Sequence, residues 1–83
     1  MPVNPFAKSP KTGVTFSSTA DAMRMEAVAQ DENIPGRIIP VPSEIDAGCG
    51  LAWCCERAQA SALLAEIIAN DLAYEGVFEV ELF

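Results

Sequence analysis

The chain has 83 residues, 51% of them hydrophobic and 20% charged, with twelve acidic against five basic side chains and a formal net charge of −7. That length suits one domain with a small core, and the apolar content is too high for disorder. The acidic balance argues against a nucleic-acid backbone or an anionic membrane surface as partner, and no run approaches the ~18 apolar residues of a membrane span.

In chain order, residues 1–11 are rich in Pro, Lys and Ser and lack periodicity, which reads as a flexible N-terminal arm ahead of a single domain over 12–83. The start has no apolar stretch of the kind a signal peptide needs, so the expected location is cytoplasmic, where thiols stay reduced. Thr12–Ser18 alternates Val14 and Phe16 against Thr15 and Ser17 and predicts a strand. Ser18 with Asp21 three residues on resembles a capping box and opens a helix. Ala20, Met23 and Ala27 are its expected inner face, with Arg24, Glu26, Gln30 and Asp31 outward. Pro35 stops the helix near Asn33.

Gly36–Pro42 predicts a second strand, placed at a sheet edge because Pro40 and Pro42 cannot donate ladder hydrogen bonds. A loop over Ser43–Gly48 leads into Cys49–Cys55, read as a third strand. Arg57–Asp71 predicts a second helix with Leu63, Leu64, Ile67, Ile68 and Leu72 as its apolar face. Gly76–Leu82 predicts a last strand, with Phe78, Val80 and Leu82 inward and Glu79 and Glu81 outward. The order β-α-β-β-α-β predicts an α+β, ferredoxin-like fold: a four-stranded antiparallel sheet with both helices on one face.

The chemistry is concentrated in Asp46–Glu56, which holds all three cysteines of the chain. In the expected topology the hairpin between the second and third strands lies at the same end of the sheet as the start of the first helix. Cys49 is thereby expected beside Ser17, Ser18 and Thr19. Gly48 and Gly50 flank it and allow close approach to the sulfur. A nearby helix N-terminus favours the thiolate, the nucleophilic form. The chain has no His, so a Cys-His nucleophile pair is excluded, and sulfur transfer, persulfide formation or redox exchange suits such a thiol better. The plainer alternative is a small buried residue in a Gly-rich loop.

Cys54 and Cys55 are adjacent, so in a strand they face opposite ways. Leu51, Trp53 and Cys55 belong to one face and Ala52 and Cys54 to the other, and both thiols read as small core hydrophobes. Five residues put Cys54 ~16 Å from Cys49 along a strand, against the ~7 Å that a disulfide allows between Cα atoms. Structural zinc asks for four Cys or His ligands, commonly in C-x2-C pairs, and neither the number nor the spacing is met. No metal or other cofactor is expected. The pairs Glu79/Glu81 and Glu44/Asp46 read as solvated faces.

The stretch TFSSTADAMRMEAVAQDENIPGRIIPVPSEIDAGCGLA resembles the "putative Se/S carrier protein-like" family, a small bacterial family. The resemblance rests on a strand followed by Ser/Thr and a helix with Ala22, Met23 and Glu26, then IPGRIIPVP, then CGLA, and it runs from about Gly13 to the C-terminus. It implies a protein that carries selenium or sulfur on Cys49, as persulfide or perselenide, between donor and acceptor proteins. Cys49 is then the carrier, with Gly48, Gly50, Ser17, Ser18 and Thr19 in support. The rival expectation is a non-catalytic ligand-binding or protein-interaction module whose surface is the loop Pro42–Gly50. A homodimer through the open sheet face fits either reading.

Overall fold

The computed structural model describes residues 9–41 and 48–82. In chain order these form β1 (Ser9–Thr15), α1 (Thr19–Glu32), β2 (Arg37–Pro40), β3 (Leu51–Glu56), a 3-10 turn (Arg57–Gln59), α2 (Ala60–Ala69) and β4 (Gly76–Leu82). The strands make one antiparallel sheet in the order β2-β3-β1-β4. The expected α+β arrangement holds, four antiparallel strands with two helices. The core joins Ala22, Met25 and Ala29 of α1 and Leu63 and Ile67 of α2 to Val14, Trp53 and Cys55 from one face of the sheet.

Several boundaries and faces differ from expectation. Strand β1 begins at Ser9, inside the segment read as an arm. Pro10 is tolerated there because it lies beyond the β3 pairing, which starts at Lys11, and faces β4 at Glu81. Strand β2 starts at Arg37 and not at Gly36, whose φ of +121° is outside the strand region. A Cβ at Gly36 would stand 2.5 Å from Trp53 Nε1 and 2.6 Å from the Cys54 carbonyl oxygen. That close approach lets the Trp53 indole N–H reach the Pro35 carbonyl at 2.9 Å, tying the end of α1 to β3.

Helix α1 is turned about half-way round from its expected orientation. Ala20, Met23 and Ala27 face outward, Met23 with 46% of its surface exposed, and Ala22, Met25 and Ala29 are buried. Both stripes keep helical spacing, and Ala on each makes them nearly equal in apolarity. The cap itself forms as expected: the Asp21 N–H donates to Ser18 Oγ at 3.2 Å. The other end closes at Asn33 in the left-handed region, with the Ile34 N–H donating to the Ala29 carbonyl at 3.0 Å. In α2, Leu63 and Ile67 are buried, but Ile68 is 77% exposed, because one residue further round the helix leaves the strip the sheet can cover.

Strand β4 keeps its alternation but turns its apolar side away from the helices. Phe78 stands opposite Gly13, which stands opposite Cys54, so all three share the face without helices. The Phe78 ring fills the space that a side chain at Gly13 would take, 2.2 Å from the position of its Cβ. Val77, Glu79 and Glu81 therefore lie on the helix side and are exposed. There Glu79 pairs with Arg57 at 2.9 Å. Among the described residues no helix is long and apolar enough to cross a membrane.

Candidate functional site

The candidate site is built where the β2–β3 hairpin returns to the sheet. The Val41 N–H donates to the Gly50 carbonyl at 2.9 Å, which closes the hairpin just before β3. Gly50 has φ +76°, so Cys49 and Gly50 form a bend ahead of β3 and are not its first residues, as the alternation implied. Among the described residues nothing lies within 4 Å of the position a Gly50 Cβ would take.

Gly48 rests against the start of α1. Its missing Cβ would stand 3.4 Å from the Ser17 carbonyl oxygen and 3.5 Å from Glu75 Oε2, and its N–H donates to Glu75 Oε1 at 3.4 Å. Glu75 is itself fixed by its N–H to the Thr15 carbonyl at 2.7 Å. The structure thus brings Gly48, Ser17 and Glu75 together at one end of the sheet. Ser18 and Thr19 follow Ser17 directly at the helix start. Ser17 Oγ donates to Asp21 Oδ2 at 3.4 Å, whereas the Ser18 hydroxyl accepts in its cap bond and keeps its own O–H to donate elsewhere. Glu75 was not singled out in the sequence. It stands 27 residues from Gly48, and only the return of β4 beside β1 brings it there.

Cys49 is half-buried and packs against the core from its edge. Its sulfur has two local partners. The Leu51 N–H donates to Sγ at 3.4 Å, and the S–H can donate to the Leu51 carbonyl at 3.5 Å. The second contact needs the thiol proton; the first survives its loss and becomes charge-assisted. The bend therefore holds the sulfur in both protonation states.

The other two cysteines are held differently. Cys55 lies in the helix-side core, and Cys54 on the opposite face with 3% of its surface exposed. Burial pushes both thiols above the ordinary range. At Cys54 the nearby cations Lys11 and Arg37 pull the other way without overcoming it. All three cysteines are free thiols. Among the described residues no group of three or more Cys, Asp or Glu side chains is placed to hold a metal ion. Glu44 and Asp46 lie outside the described residues, as does the rest of the loop 42–47.

The family model described as "Putative Se/S carrier protein-like" matches residues 12–79, from β1 to the middle of β4. The chain belongs to this family. A "Putative sulfur carrier protein" of Aquifex aeolicus (strain VF5) is 29% identical over 79 residues, which are 93% of this chain and 40% of that protein. The chain thus spans about two fifths of that relative's length. No solved structure matches the chain. The family match takes in the Gly48–Gly50 bend, the start of α1 and Glu75, so every part of the candidate site lies within it.

Proposed function

We propose that this protein carries a sulfur or selenium atom on Cys49, as a persulfide or perselenide, between a donor and an acceptor protein. The observation that carries the reading is the membership of a Se/S-carrier-like family, joined to a half-exposed thiol in a Gly-Cys-Gly bend. The chemistry balances without a cofactor. The Cys49 thiolate, its proton given up to solvent, attacks the outer sulfur of a donor cysteine persulfide. The donor S–S bond breaks, the donor cysteine leaves as thiolate, and Cys49 becomes the persulfide. On delivery an acceptor nucleophile attacks the outer atom and Cys49 leaves as thiolate. The Leu51 N–H, which donates to Sγ, would stabilise that leaving group.

Ser18 and the first N–H groups of α1 would offer donors to the anionic cargo. The net charge of −7 suits donor and acceptor proteins with basic docking patches. The reducing cytoplasm is the compartment in which such a thiol stays available. A homodimer through the sheet face that carries Phe78 is compatible with this reading, because Cys49 stays at one end of the sheet.

The test is intact mass after incubation with a cysteine desulfurase and cysteine, on wild type and on Cys49→Ser. One added sulfur on wild type alone, removed by reductant, is the expected result. Equal labelling of both proteins would move the chemistry to Cys54 or Cys55. Labelling of neither would overturn the carrier reading in favour of a binding module, in which Cys49→Ser leaves partner affinity unchanged.

A further inference from the structure

The bend that carries Cys49 is held on both sides of the cysteine, by different means. Downstream, the Val41 N–H donates to the Gly50 carbonyl at 2.9 Å, main chain to main chain. Upstream, the hold on Gly48 comes from a side chain: its N–H donates to Glu75 Oε1 at 3.4 Å. The second oxygen of that carboxylate lies 3.5 Å from the position a Gly48 Cβ would take, and the Ser17 carbonyl oxygen lies 3.4 Å from it. Gly48 thus rests against both the Glu75 carboxylate and the residue before the cap of α1. Glu75 is itself anchored. It directly precedes β4, and its N–H donates to the carbonyl of Thr15, the last residue of β1, at 2.7 Å. That bond carries the β1–β4 ladder one step past the Thr15–Gly76 pair. The carboxylate therefore hangs from sheet backbone, and its reach sets the spacing between sheet and bend.

We propose that Glu75 is a positioning residue: acting through Gly48, it sets where the Cys49 sulfur stands. The use of that position in sulfur transfer rests on the carrier reading; the geometry does not. With Gly48 and Gly50 both held, the one residue between them has little freedom. The Leu51 N–H then meets Sγ at 3.4 Å and gives the sulfur a fixed direction. Transfer of an atom between two docked proteins needs such a direction, because the attacking and leaving atoms must align. A negative charge offers nothing to an anionic cargo, so the contribution of Glu75 is its hydrogen bond and not its charge. The role asks for an oxygen acceptor at the end of a side chain of this length. Glutamine keeps the acceptor and the length, aspartate keeps the charge but is shorter, and alanine keeps neither.

The experiment compares wild type with Glu75→Ala, Glu75→Asp and Glu75→Gln, each as the full chain, by amide hydrogen exchange and by the rate at which iodoacetamide alkylates Cys49. In Glu75→Ala the Gly48 amide should exchange about fivefold faster, the loss of one solvent-accessible hydrogen bond. Cys49 should be alkylated faster as well, because a loosened bend exposes the half-buried sulfur. Glu75→Asp should follow Glu75→Ala, and Glu75→Gln should match wild type. The main-chain amide at position 75, bonded to Thr15, should keep its protection in all three, which shows the sheet intact. Where wild type takes up a sulfur atom, Glu75→Ala should load it more slowly despite its faster alkylation, and Glu75→Gln at the wild-type rate. Glu75→Gln behaving as Glu75→Ala while Glu75→Asp matches wild type would assign the effect to charge and overturn the proposal. Wild-type behaviour of all three variants would overturn it too. A wild type that takes up no sulfur overturns the carrier reading alone, since exchange and alkylation do not depend on it.

Discussion

Cys49, in the bend ahead of β3, and Cys54, within β3, have surroundings that invert the usual expectation for a reactive thiol. Cys54 has the cations, Lys11 and Arg37, yet burial dominates and keeps it protonated. Cys49 has a carboxylate nearby, Glu75 bonded to Gly48, yet its sulfur is half-exposed and receives a backbone N–H. On the carrier reading, the difference makes access and local donors decide which thiol reacts, with neighbouring charge secondary.

The sharpest way to break this comparison is alkylation. In the native protein at about pH 8, Cys49 should react with iodoacetamide at least ~100-fold faster than Cys54 or Cys55, because the buried pair must await an opening worth about 3 kcal/mol. Peptide mapping after a timed quench checks the order. Comparable rates for Cys54 and Cys49 would show that burial is not what distinguishes them.

Glycine substitutions at the two ends should differ next. Gly36→Ala meets Trp53 and the Cys54 carbonyl at 2.5–2.6 Å in a left-handed backbone, so about 3 kcal/mol of stability should be lost. Gly50→Ala meets no described residue within 4 Å and should carry the backbone strain alone, about 1 kcal/mol. Urea unfolding of the two variants measures both. Equal losses would mean that the Gly36 contact with Trp53 does not anchor the end of α1.

How much of this was legible depended on whether a pattern fixed a face or only a period. In β3, a bulky apolar set (Leu51, Trp53) alternated with small residues, and the assignment of Cys55 to the core and Cys54 to the far face holds. In β4 the same reasoning identified which residues share a side but not which side. The missing information was the register, and Gly13 carried it: a strand glycine leaves a gap that Phe78 fills. Helix α1 offered two alanine-rich stripes, and only packing against the sheet chose between them. The glycines beside Cys49 pointed to close approach at the sulfur, but the strand reading missed the bend itself, and Glu75 was not legible at all, because no local signal links it to Gly48.

Serine replacements sharpen the contrast between the two faces of β3. Cys55→Ser puts a hydroxyl into the helix-side core, where a buried polar group without a partner costs about 2 kcal/mol. Cys54→Ser puts the same hydroxyl at the wall of a cavity lined by Lys11, Arg37, Glu56 and Gln59, and should cost less than about 1 kcal/mol. Thermal unfolding of the pair checks the order. A larger loss at Cys54 would mean that its face is as tightly sealed as the core.

The smallest effect concerns pH. The Lys11 ammonium, by its hydrogen bond, holds the exposed Glu56 carboxyl below its ordinary range. A carboxylate with a depressed folded value adds stability above its unfolded value, about 4.3, and loses it as pH falls through the folded value. Wild type should therefore exceed Glu56→Gln in stability by a small, constant margin near neutrality. The margin should begin to close below about pH 4.5 and vanish once Glu56 is protonated in both states. Unfolding midpoints of both proteins from pH 7 down to 3 give the curve. The exposure of Glu56 keeps the margin small, and salt should shrink it further. A margin that widens on acidification would reverse the sign and show that Glu56 is held neutral, leaving the Lys11 ammonium without a charged partner in Glu56.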